Sequence, residues 1–80
     1  MQAAEWMKHL ADAVAEETGA PAESVTPEAT AADIPGWDSL AHMRIMLNLE
    51  ARAGRTVDID ATYAAGTVGE LAGLLAASGG

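Results

Sequence analysis

Apolar residues recur at helical spacing in three stretches of this chain. Met7, Leu10, Ala11 and Val14 make a stripe within Ala3–Thr18, with Trp6 at its border. Glu5, Lys8, Asp12 and Glu16 lie largely off that stripe, Glu5 and Lys8 at ion-pair spacing, and Gly19 stops the helix. From Asp38 to about Ala53 a second stretch carries Ile45, Leu49 and Ala53 on one line with Met46 alongside. Leu40, Met43 and Leu47 form another line on a different side, and Gly54 ends the helix. A helix apolar on more than one side is either wrapped by neighbours or presents a docking edge. The third stretch opens on Thr67-Val68-Gly69-Glu70, which fits a T-x-x-E capping box, and offers Val68, Leu71, Leu74 and Leu75 to a core.

Residues 20 to 37 form a long connection that contains Pro21, Pro27 and Pro35, with Val25 and Ile34 as its expected anchors. Thr26-Pro27-Glu28 suits a single helical turn. In the shorter link from Arg55 to Gly66, Val57 and Ile59 are expected in the core, with Asp60 capping a brief turn through Tyr63. Ser78-Gly79-Gly80 are expected to fray. Helix, long loop, helix, short turn, helix gives an all-α fold, a small three-to-four-helix bundle with a long first loop. Eighty residues make one domain, expected to span 1–80 with an ordered core of about 3–77.

Composition narrows the function. The net charge is -8, and nucleic acid and anionic membranes both call for clustered cations, so neither is expected as a partner. The chain has no cysteine, which removes disulfides, thiolate catalysis and cysteine-bound metal. No apolar run approaches a membrane span, and the N-terminus lacks the order of a secretion signal, so a cytoplasmic place is expected. His9 and His42 are isolated from other ligand types, so no metal site is expected.

Asp38-Ser39-Leu40 is the densest chemical signal. Proline and glycine hold residues 35 and 36 out of helix, and Asp38 is a strong N-cap type. Ser39 then falls in a first helical turn, where free N–H groups and the positive end of the helix dipole favour a phosphate. A hydrolytic reading of Ser39, His42 and Asp38 is geometrically poor. A base three residues along the same helix does not turn its imidazole to the serine while an acid orients its far nitrogen. His42 is read instead as a surface residue four after Asp38.

The whole pattern resembles the acyl carrier protein family, with its related peptidyl carrier domains. The resemblance runs from about Ala3 to Ala77 and rests on Asp38-Ser39-Leu40 opening the second helix and on Val25-Thr26-Pro27-Glu28 in the first loop. It implies a non-enzymatic carrier whose 4'-phosphopantetheine arm, taken from coenzyme A by a phosphopantetheinyl transferase, is attached to Ser39. It also implies that Asp38 orients the junction and helps to recruit the transferase or its metal. Leu40 and Met43 would meet partners: the transferase, an adenylating or acyl-loading enzyme, and downstream synthase or tailoring enzymes. Arg44 is a further candidate for partner choice, set against a simply solvated arginine. A monomer is expected.

From Ser39 to Thr56, Glu50 is the only acid against Arg44, Arg52 and Arg55, a local balance of +2. Fatty-acid-synthesis carriers usually have a strongly acidic second helix. That departure, with Trp37 before the motif, is more similar to freestanding carriers of specialised pathways, some of which load amino acids or unusual acyl units. The alternative is an unmodified helical docking module with a carrier-like fold.

Overall fold

A computed structural model describes residues 2–78. Helix α1 spans Ala3–Thr18, α2 Ser39–Ala53, α3 Ile59–Thr62 and α4 Val68–Ser78; two 3-10 turns, Ala22–Ser24 and Ala31–Asp33, punctuate the long loop. The fold is all-helical, and no strand occurs among the described residues. Met1, Gly79 and Gly80 lie outside the described residues, so the expectation of fraying at the two glycines falls there too.

α1 packs against both α2 and α4, which makes it the central rod of the bundle. Its inner face consists of Leu10, Ala13, Val14 and also Trp6, which is only 1% exposed. Trp6 therefore belongs to the core rather than to its border, because its large ring gains most from burial. Met7 and Ala11, expected in the stripe, are only partly buried. Glu5 does not pair with Lys8. Its carboxylate accepts the backbone N–H of Gln2 at 2.9 Å, closing a capping box at the start of α1.

Ile45, Met46 and Leu49 of α2 are fully buried against this rod, with Val25 and Ile34 from the loop and Val57 from the α2–α3 link. Thr26-Pro27-Glu28 makes a tight turn, closed by Ala29 N–H on Thr26 O at 3.1 Å, and does not start a helix. The cap of α3 is Asp58, not Asp60: its Oδ1 accepts Ala61 N–H. Asp60 sits inside the turn that Asp58 opens.

In α4, Val68, Leu71, Ala72 and Leu75 face the core, while Leu74 is 37% exposed and stands off the expected face. The box at Thr67 is displaced by one residue. Thr67 Oγ1 accepts Glu70 N–H, but the Glu70 carboxylate reaches back to Gly66 N–H. The remaining first-turn donors of α4 go to the long loop: Val68 N–H to Ala29 O at 2.8 Å and Gly69 N–H to Pro27 O at 2.9 Å. The loop thus caps α4. The approach is close enough that a Cβ on residue 69 would stand 3.0 Å from Pro27 O, so glycine fits there.

Candidate functional site

The loop enters α2 through Ile34-Pro35-Gly36-Trp37. Ile34 is buried and fixes the chain to the core. Trp37 N–H bonds back to Ile34 O at 3.2 Å, and Gly36 has φ 89°, the left-handed value required at the third position of a type II turn with proline second. This turn delivers Asp38 in extended conformation as the N-cap. Its Oδ1 accepts Ala41 N–H at 2.8 Å and its carbonyl accepts His42 N–H at 2.8 Å.

Ser39 is the first residue of α2 and is exposed. Neither its hydroxyl nor the N–H groups of Ser39 and Leu40 bond to any described residue. An oxygen nucleophile therefore stands in solvent beside unsatisfied donors at the positive end of a helix of 15 residues. That environment suits a phosphodiester, whose charge those donors and the dipole would meet.

Beside Ser39 lies a linked group of side chains that the sequence did not assemble. Trp37 Nε1–H donates to His42 Nδ1 at 3.1 Å, and His42 Nε2 lies 2.7 Å from Thr62 Oγ1. Indole can only donate, so Nδ1 is bare and the imidazole proton sits on Nε2, donating to Thr62. The Thr62 hydroxyl donates on to Ile59 O. His42 is buried, with its ring centroid 6.0 Å from that of Trp37 and 4.3 Å from that of Tyr63.

This corrects the surface reading of His42: α3 and Trp37 cover its side of α2, and burial lowers its pKa from the usual value. Both ring nitrogens are engaged away from Ser39, so no nucleophile–base pair exists here. The Trp–His–Tyr group walls an open cleft of about 270 Å³ that Asp38 and Ser39 also line. A second recess of about 130 Å³ shares Trp37, His42 and Tyr63 as lining and is also lined by Val68 and Leu71.

The remaining predicted residues lie on the outward side of α2. Leu40 is 59% exposed, Met43 47%, and Leu47, which was in the same stripe, 51%; Arg44 is exposed next to them. The stripe is a surface and not a second core face. Among the described residues no group of three metal-binding side chains comes together, and no helix is long and apolar enough to cross a membrane.

The model of a family defined by its phosphopantetheine attachment site matches residues 8–75. The match takes in most of the chain, including the loop, the α2 junction and most of α4, and the protein belongs to that family. Its members are carriers that hold 4'-phosphopantetheine covalently and meet transferases and synthases. No curated protein and no solved structure gives a match.

Proposed function

We propose that Ser39 is the attachment point and that the protein is a freestanding, non-catalytic acyl or aminoacyl carrier of a specialised pathway. The observation that supports this most is the exposed, unbonded Ser39 hydroxyl at the head of α2, in a chain matched by the attachment-site family over 8–75. In priming, Ser39 Oγ attacks the β-phosphorus of coenzyme A and loses its proton. The pyrophosphate P–O bond breaks, and adenosine 3',5'-bisphosphate leaves. Asp38 holds the junction in shape through Ala41 N–H and leaves its second carboxylate oxygen for the transferase or its metal. Once attached, the arm supplies a thiol on which cargo is held as a thioester, and this chain has no thiol of its own.

Leu40, Met43 and Arg44 form the contact surface for the loading and downstream enzymes. The carrier works as a monomer in the cytoplasm, where the coenzyme A donor is found. The near-absence of acid in α2 favours a specialised pathway over fatty acid synthesis. Intact mass measurement tests the attachment: coenzyme A and a promiscuous transferase add one phosphopantetheinyl unit to the wild type and none to Ser39→Ala. Equal masses before and after incubation of the wild type would leave the docking-module alternative in its place.

A further inference from the structure

The outward side of α2 has a chemistry at odds with the rest of the molecule. At about 100° per residue, Leu40, Met43, Arg44, Leu47 and Ala51 fall within an arc of roughly 100°. All five are exposed. The arc contains no acid, in a chain of net charge -8. Glu50, the helix's one carboxylate, is turned away to accept Val57 N–H at 2.8 Å. Arg52 is drawn to the α1 side, where it pairs with Glu16 at 2.5 Å, and Asn48 bonds Glu16 and Glu17 there. Arg44 makes no such pair among the described residues. It stands at the edge of an apolar stripe with its guanidinium uncommitted.

A partner seated on Leu40, Met43 and Leu47 takes Arg44 out of water. A guanidinium covered without an anion is strongly disfavoured, because it loses its hydration with nothing in return, and a basic rim would add repulsion. Beyond about 8 Å at physiological salt the acidic body of the protein is screened, so the local pattern governs the contact. Arginine's planar fork fits a carboxylate in two parallel hydrogen bonds.

Resting on the carrier reading above, we infer that the loading enzyme presents an apolar groove to α2 with an aspartate or glutamate at its edge facing Arg44. The test uses the adenylating enzyme that charges the primed protein, isolated by that charging activity. Wild type, Arg44→Glu, Arg44→Gln and Ala51→Glu are compared, with Ala4→Glu on exposed α1 as a control that adds the same single negative charge as Ala51→Glu away from α2. Priming of each is checked separately by intact mass.

Arg44→Glu should raise the KM for the carrier about fivefold or more, Arg44→Gln about twofold, with kcat kept. Ala51→Glu should raise KM and Ala4→Glu should not, and 0.5 M salt should shrink the Arg44→Glu effect. A KM for Arg44→Glu equal to or below the wild-type value overturns the inference, as does a penalty from Ala4→Glu equal to that from Ala51→Glu. Failure of the wild type to prime sinks the carrier reading, whereas primed variants with unchanged KM sink only the carboxylate assignment.

Discussion

Asp38 closes the first turn of α2 with a side-chain oxygen while its carbonyl starts the helical ladder. Replacing it with alanine should remove about 1 kcal/mol of stability and lower the Tm by about 4–8 °C, measurable by thermal denaturation. His42 makes a pH-dependent contribution. Burial lowers its pKa, so below pH 6.5 the unfolded chain takes up a proton that the folded one resists.

Stability should therefore be complete above pH 6.5 and fall as pH drops from there toward the folded value, by at most about 1.4 kcal/mol per pH unit for this group. A proton forced onto Nδ1 would also oppose the indole N–H of Trp37. A lower urea midpoint at pH 5.5 than at pH 7.5 checks this, and equal midpoints would refute it. Asp38 and Ser39 were legible because a cap and a helix start are properties of adjacent residues. His42 was not. Its position four after Asp38 pointed to the surface, and its acceptor Thr62 comes 20 residues later.

The long loop and α4 form one element through two backbone bonds, from Val68 to Ala29 and from Gly69 to Pro27. Two alanine substitutions in α4 separate helix propensity from that contact. Gly73→Ala meets nothing within 4 Å and should stabilise by up to about 1 kcal/mol, since glycine is costly in a helix interior. Gly69→Ala gains the same propensity, but its Cβ meets Pro27 O at 3.0 Å and Pro27 Cβ at 3.2 Å. A net loss of about 1 kcal/mol is expected there. Denaturant midpoints that move in opposite directions for the two variants check the assignment. The ends of α1 and α2 were readable from Gly19 and Gly54, which sit just past them. The cap of α3 was misplaced because Asp58 and Asp60 are equally good caps in sequence, and only the packing of Val57 and Ile59 settles which starts the turn.

Across the molecule, one helix serves both core and surface. Leu49→Ala should cost about 2–5 kcal/mol, because Leu49 is fully buried between α1 and its neighbours. Leu47→Ala, two residues earlier and half exposed, should change stability by less than about 0.5 kcal/mol. Chemical denaturation of the two variants, on primed and unprimed protein, makes the comparison. The chain's periodicity determined the helices, their order and the all-α class, and its local composition determined where a serine would stand at a helix start. Those features follow from interactions within a few residues. Tertiary structure alone decided which of the two apolar stripes of α2 would be covered. It also turned His42 inward to join Trp37 to α3, and made a loop cap α4. Each is a contact between segments distant along the chain, set by how the helices fit together and written in no single stretch of residues.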